Sequence, residues 1–230
     1  MEYKQALAII GSLSKPSKMP GYAIGLPAGK ALWVSDIAKS KGDSEPSLKG
    51  CAVGAKLVEI KGSTCSKCYA LKGNYAFKNV RNAQYNRLKG LSDPLWIDAM
   101  VEVLYMSIDP MEPYFRWHDS GDILSLEHLE KIVEVCKRTK YIRHWLPTRQ
   151  GNFVKEYLDK YEAFPSNLII RVSSTMIDGG PVVSYKNTST VHDTKPAVGY
   201  SCPAYTQDGK CGDCRACWDK RVKNVSYPKH

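Results

Sequence analysis

No stretch of the sequence approaches the roughly 18 uninterrupted apolar residues of a membrane-spanning helix. Residues 1–10 are too short and too polar for a secretory signal. The expectation is a cytoplasmic protein, in whichever cell makes it, with no membrane partner. Internal repeats are also missing. Acid is scarce relative to base: 23 Asp plus Glu stand against 33 Lys plus Arg, a formal net charge of +10. That surplus favours an anionic partner, a nucleotide or nucleic acid, although scattered lysines can also be no more than a solvated surface. The eight cysteines are not read as four disulfides. Secretion is unexpected, several cysteines are spaced by only two residues, and 230 residues fold without staples.

Seven of the eight fall into two groups. Thirteen residues separate Cys51 from Cys65, and two separate Cys65 from Cys68, so three soft ligands can close on one centre if the intervening segment loops back. Structural zinc takes four protein ligands, whereas a four-iron four-sulfur cluster held by three cysteines keeps one iron open to a substrate or cofactor. A three-thiolate site therefore leans toward chemistry, unless a fourth ligand arrives from elsewhere in the fold. The second group is Cys202, Cys211, Cys214 and Cys217, with His230 at the terminus. It supplies four ligands by itself and reads as structural zinc, with a second iron–sulfur cluster as the alternative. Cys136 continues the apolar spacing of Leu126, Leu129 and Val133 and reads as a core thiol.

A hydrophobic content of 43% and a charged content of 24% suit a soluble core, expected over residues 1–200 with a metal-binding knuckle over 201–230 packed on it. A short helix is expected over 3–11, strands or a strand and turn over 22–34, and an exposed loop over 39–50. Residues 56–61 read as a half-buried strand. Residues 69–88, free of proline and rich in Asn, Lys and Arg, read as one helix with a basic face. Pro94 opens the next, over 95–108. Strands at 114–117, 141–146 and 167–172 alternate with helices at 125–139 and 152–161, which implies a parallel sheet with right-handed crossovers. The fold class is α/β, a partial or irregular parallel (β/α) barrel with a cysteine-rich metal-binding C-terminal segment. Beyond these strands, 181–185 reads as a further strand and 187–196 as loop.

In parallel sheets ligands sit beyond the carboxyl ends of the strands, where polar clusters fall here. His118, Asp119 and Asp122 are the candidate catalytic groups, able to accept a proton or to bind an amine or a metal. Ser120 and Gly121 join them as candidate cofactor contacts. Helix capping by Asp122 or Ser125 is the plainer account of the same stretch. The reciprocal capping box from Ser125 is absent, because His128 stands where a glutamate would. Thr148, Arg149, Arg171 and Ser173 offer hydroxyl and guanidinium groups for a carboxylate or phosphate; a salt bridge at the sheet edge accounts equally well for Arg171.

Residues 26–29 (LPAG), Cys51 with 65–70 (CSKCYA), 73–75 (GNY), 115–122 (FRWHDSGD), Thr148-Arg149 and 211–218 (CGDCRACW), followed by 225–230, resemble the phage "gene product 88" family over most of residues 22–230. That resemblance implies a viral source and no particular reaction. The layout also resembles a shortened radical S-adenosylmethionine enzyme. On that likeness Cys51, Cys65 and Cys68 would hold the iron–sulfur cluster, residues 119–122 would take the place that binds the methionyl amine, and Arg171 and Ser173 would contact the cofactor. The implied reaction begins with chelation of S-adenosylmethionine by the open iron, followed by reductive cleavage and hydrogen abstraction from a nucleotide or nucleic acid. The superfamily's first gap is three residues where this chain has thirteen, and its aromatic precedes the last cysteine where Tyr69 follows it.

Two other classes remain open. The Asp119-Ser120-Gly121 turn near a cysteine-rich zinc site is similar to barrel transglycosylases that exchange guanine for a modified base, with Asp119 gripping the base; they need neither Cys51, Cys65 and Cys68 nor iron. Alternatively, both cysteine groups are zinc staples on a non-catalytic nucleic-acid-binding protein, which leaves residues 118–122 without a task.

Overall fold

Seven strands, β1 (Tyr22–Ile24), β2 (Tyr114–Trp117), β3 (Arg143–Thr148), β4 (Leu168–Ile177), β5 (Thr188–His192), β6 (Tyr200–Ser201) and β7 (Asn224–Pro228), form one sheet in the order β1-β2-β3-β4-β5-β7-β6. Every pairing in it is parallel. The computed structural model describes residues 1–229. Seven helices accompany the strands: α1 (Tyr3–Ile10), α2 (Trp33–Lys41), α3 (Ala52–Leu57), α4 (Lys78–Gly90), α5 (Trp96–Ser107), α6 (Leu126–Arg138) and α7 (Gly151–Tyr161). No helix is long and apolar enough to cross a membrane among the described residues.

The strand order rises from β1 to β5 without reversal. Because crossovers between parallel strands are right-handed, successive helices return on the same face. Phe115, Trp117, Leu146 and Leu168 accordingly meet α1, α5, α6 and α7 in the main core. Strand side chains alternate between faces, so Tyr114, Trp145 and Ile169 point the other way, and there Trp218 of the C-terminal segment packs on them. Its ring lies 5.1 Å from Trp145 and 5.3 Å from Tyr114, and its indole nitrogen donates to Phe115 O at 3.0 Å. In α6 the stripe of Leu129, Ile132, Val133 and Cys136 is buried, which makes Cys136 a core thiol. Ser125 caps this helix, accepting from His128 N at 3.1 Å, while His128 Nδ1 accepts from Leu124 N at 3.3 Å. The imidazole thus reaches back one residue beyond the cap, to Leu124 N, and the reciprocal bond of a capping box, to Ser125 N, is not made.

Several expectations are corrected. Residues 31–34 hold no second strand, since Trp33 opens α2. Residues 56–61 are not a strand but the end of α3 and the turn behind it. The expected single helix over 69–88 breaks into two 3-10 turns, Tyr69–Leu71 and Gly73–Ala76, before α4. Residues 181–185 form turns, and the strand lies instead in the Thr- and Ser-rich stretch expected to be loop. There the hydroxyls find partners across the sheet: Thr188 Oγ1 donates to Asn224 Oδ1 at 2.8 Å and Thr190 Oγ1 to Ser226 Oγ at 3.0 Å. Burial on both sides overrides polar composition.

Arg171, on β4, is fully buried, and its five N–H donors meet five backbone carbonyls, those of Thr188, Ala216, Cys217, Asp219 and Val222, at 2.8–3.3 Å. No donor is left for a cofactor, nor is there a sheet-edge salt bridge. Arg171→Met is expected to lower the unfolding free energy by about 3–5 kcal/mol, because it strands buried carbonyls. Denaturant unfolding checks the magnitude, and hydrogen exchange should show protection lost first over residues 216–222.

Burial holds His144 and His128 down to about 3, with Lys131 adding to the effect at His128. Both folded-state values lie below the unfolded one, so the stability they confer is complete above about 6.5 and is lost as pH falls toward 3. Urea unfolding between pH 7.5 and 5 should therefore show stability declining with acid, each histidine contributing up to about 1.4 kcal/mol per pH unit. His144→Gln should remove one histidine's share of that slope.

Candidate functional site

The polar crevice is built at the carboxyl ends of β1 to β4. Beyond β1, residues 26–29 turn so that Gly29, at φ 63°, points its N–H at Cys51 Sγ, 3.0 Å away. Cys51 precedes α3, and the chain behind α3 is pinned back by Ser63 Oγ donating to Leu57 O at 2.5 Å. Residues 62–64 then run along the end of β4, with Thr64 N on Thr175 O at 2.9 Å and Ile177 N on Gly62 O at 3.0 Å. The thirteen-residue gap is thus taken up by a compact helix and turn, and Cys65 returns beside Cys51. A Cβ built at Gly54 would lie 2.4 Å from Cys51 Sγ and 3.8 Å from Cys65 Sγ, so the two sulfurs flank one small space that a side chain would fill.

Burial pushes the Cys51 thiol up to about 11, with Asp122, Cys65 and Cys68 adding to the effect. Burial also raises Cys65, against which the Arg149 guanidinium acts. The three thiols therefore share one electrostatic environment. All eight cysteines are free thiols. Among the described residues no three His, Cys, Asp or Glu side chains meet at the spacing of a single-ion site.

Most of the expected residues beyond β2 and β3 are committed to the scaffold. Ser120 Oγ donates to Leu26 O at 2.9 Å and accepts from Gln84 Nε2 at 2.7 Å. Gly121, at φ 74°, lies against Leu26, so these two, expected as cofactor contacts, instead join the ends of β1 and β2. Asp122, expected among the catalytic groups, accepts from Thr148 Oγ1 at 2.5 Å and from Arg149 N and Ile123 N at 2.8 Å each, and so ties β2 to β3. Burial raises its pKa while those three bonds oppose the rise. His118, the third of them, sits at φ 54° with its ring 5.4 Å from His128, and burial holds its pKa well below the usual range. Its environment is the histidine pair, not the thiols. Ser173 Oγ pairs with Ser189 Oγ at 2.9 Å. Arg149 donates to Thr64 Oγ1 from Nε at 3.1 Å and Nη2 at 2.8 Å, next to Cys65.

Two of these residues are exceptions: His118, whose Nδ1 is buried without a hydrogen-bond partner, and Asp119. The latter is 7% exposed and its Oδ1 is buried without a hydrogen-bond partner. Gly25 makes the room, for a Cβ there would stand 1.9 Å from that oxygen. Around it stand Tyr69, whose hydroxyl donates to Asp119 O at 2.5 Å, and Arg116, whose Nη2 donates to Tyr69 Oη at 3.2 Å. Arg116 also stacks on Trp145 with its guanidinium carbon 4.7 Å from the ring centroid, and its Nε is a second buried atom without a partner. Burial works against that cation, but Tyr69, Asp119 and Tyr227 outweigh it and hold its pKa above the usual range. Tyr75, raised chiefly by burial, feels Asp119, Tyr69 and Arg116 together. Arg116, Tyr69 and Tyr75 were not among the sequence candidates; a lone arginine between Phe115 and Trp117 in an alternating strand was the available signal.

In the C-terminal segment, expected to be a metal-binding knuckle, no three of Cys202, Cys211, Cys214 and Cys217 meet at the spacing of a single-ion site, but they act on one another electrostatically. Burial pushes Cys217 up to about 12, with Cys202 and Cys211 adding to it, and Cys214 acts in the same way on Cys202 and Cys211. Tyr227 Oη lies 3.2 Å from Cys217 Sγ and Tyr200 Oη 3.3 Å from Cys214 Sγ. His230 lies outside the described residues.

A family model described as gene product 88 matches residues 11–220. No curated protein and no solved structure matches the chain.

Burying a carboxylate oxygen without a partner costs about 1–3 kcal/mol. Asp119→Asn is therefore expected to leave stability unchanged or to raise it by about 1 kcal/mol while removing function. Thermal unfolding of the metal-free chain checks the first part; a loss of several kcal/mol would mean that Asp119 is scaffold.

Proposed function

We propose that the chain, which belongs to the gene product 88 family, is an iron–sulfur enzyme of radical S-adenosylmethionine type that modifies a nucleotide or nucleic acid. The observation that carries this reading is an unpartnered buried carboxylate oxygen, that of Asp119, at the carboxyl end of a parallel sheet, on a backbone held by the hydroxyl of Tyr69, the neighbour of Cys68 in the chain. The steadily rising strand order also suits a partial barrel, whose ligands lie at that end.

Cys51, Cys65 and Cys68 fit a four-iron four-sulfur cluster by donor chemistry: three thiols, no fourth in the group, and open space at Gly54 between two of the sulfurs. A cluster so held keeps one iron open and supplies single electrons. The rest of the reading concerns this chain's own groups. Asp119 Oδ1 would accept from the amine of S-adenosylmethionine, and Arg116, with Nε unpartnered, would take its carboxylate. Tyr69 fixes the Asp119 backbone by its hydroxyl and thereby the aim of the carboxylate. Gly29 N–H on Cys51 Sγ would tune the centre, as hydrogen bonds to cluster sulfurs do. Asp122 acts as a positioning residue, holding Arg149 N beside the thiols. The four C-terminal cysteines would bind zinc, or a second cluster, and staple the segment that Arg171 fastens to the sheet.

Protein purified without oxygen should contain about four irons and four sulfides, or about eight with a second cluster, and its brown colour should bleach with dithionite. Cys65→Ala or Cys68→Ala should lose those four irons and stay folded. Asp119→Asn should keep the iron but fail to cleave S-adenosylmethionine. Colourless protein with one or two zincs would sink the proposal and turn attention to base exchange or to a non-catalytic role.

A further inference from the structure

Between Glu59 and Asp93 the chain has no acidic residue and seven basic ones: Lys61, Lys67, Lys72, Lys78, Arg81, Arg87 and Lys89. Two of these are engaged. Arg87 is buried and donates to Ser12 O, Ser14 Oγ and Gly25 O, and Lys89 pairs with Asp43. Lys67, Lys72 and Lys78 are exposed and make no ion pair among the described residues. Large apolar side chains are interleaved with them in the open: Tyr69 is 48% exposed, Leu71 42% and Phe77 57%. Phe77 precedes α4, whose first turn carries no acid and no capping side chain, so the helix presents free amides beside Lys78. Tyr69 packs one side on Tyr75, but half of it and most of Phe77 stay open beside cations that have no acid partner among the described residues.

We propose that residues 67–81 form a binding strip for single-stranded nucleic acid. Phosphates answer the lysines and the amide end of α4, while unpaired bases offer their faces to Phe77 and Tyr69. A duplex, with its bases stacked inside, leaves the rings unused. The strip leads into the crevice, because Tyr69 follows Cys68 and its hydroxyl reaches Asp119 O. A strand lying along it would bring one nucleotide to the thiols and the free carboxylate. That last placement rests on the function proposed above; the binding does not.

The test is fluorescence anisotropy of the full chain with labelled DNA and RNA oligonucleotides of about 16 nucleotides and a matched duplex, over a range of salt. Single strands of at least one sugar type should bind more tightly than the duplex. Phe77→Ala should weaken single-strand binding about tenfold. Lys72→Ala with Lys78→Ala should flatten the salt slope by about 0.7 per lysine removed. Lys137→Ala with Lys140→Ala, exposed on and just after α6, should change nothing. The proposal is overturned if no single strand binds at low salt, if the duplex binds as well and Phe77→Ala is silent, or if the α6 pair weakens binding as much as the strip pair. Iron measured on the same preparations separates the two readings. Binding without iron removes the enzyme proposal alone, and iron without binding removes the strip alone.

Discussion

The Arg171 guanidinium, with each of its five donors on a backbone carbonyl, fastens the C-terminal segment to the sheet. The need for it follows from strand order. A sheet that grows in one direction with right-handed crossovers receives its helices on one face, and the other face has to be closed by chain from elsewhere. Residues 216–222 do this, and the arginine answers carbonyls that the irregular segment cannot pair with itself. From there the contacts run toward the site: Trp218 packs on Trp145, Trp145 lies under Arg116, and Arg116 meets Tyr69 beside Asp119. The cysteine group near the chain's end and the one near its beginning thus share a single supporting layer.

Within the crevice, hydrogen-bond satisfaction separates scaffold from site. Asp122, Ser120 and Thr148 have their partners, and each joins one strand end to the next. Asp119 and Arg116 keep buried atoms unpaired. Buried polar atoms in folded proteins are rarely left so, and local violations of otherwise consistent structure collect where a protein works. Two neighbouring side chains, one anionic and one cationic, are both incomplete, and it is on them that the proposed binding of an amine and a carboxylate rests.

Those strand-end positions were legible, but their roles were not. β2 and α6 were readable because each has one dominant period, alternation in residues 114–117 and a three-and-four stripe in Leu129, Ile132, Val133 and Cys136, and β3 and β4 because each carries a short apolar run that follows a helix. β5 was not, because its threonines and serines are buried by partners distant in sequence. The segment ahead of β6 and the terminal β7 likewise take their form from the sheet they join. At the site, the cluster at 118–122 marked the right turn and favoured Asp119 over Asp122, but what commits Asp122 to the scaffold, the arrival of Thr148 and Arg149 N within reach, was not in the sequence. Arg171 read as a ligand contact because the carbonyls that occupy it stand up to 51 residues away. Arg116 went unread because attention to strand ends passes over a charge one residue inside a strand.

Charge bookkeeping around the thiols constrains what can occupy them. Burial drives Cys51 up to about 11 and raises Cys65, so both hold protons at neutral pH unless a cation replaces them. The nearby arginines do not supply that cation. Arg87 is held by Ser12, Ser14 and Gly25, and Arg116 is bonded to Tyr69. Only Arg149 acts on a triad sulfur, and Cys65 remains raised despite it. Asp122 pushes in the same direction as burial. On the function proposed above, buried thiols with the Asp122 carboxylate acting on them, opposed at Cys65 by Arg149, would suit a positively charged occupant. On the proposal made above, the surplus of base is used outside this pocket, on the exposed strip where lysines without acid partners among the described residues face the solvent.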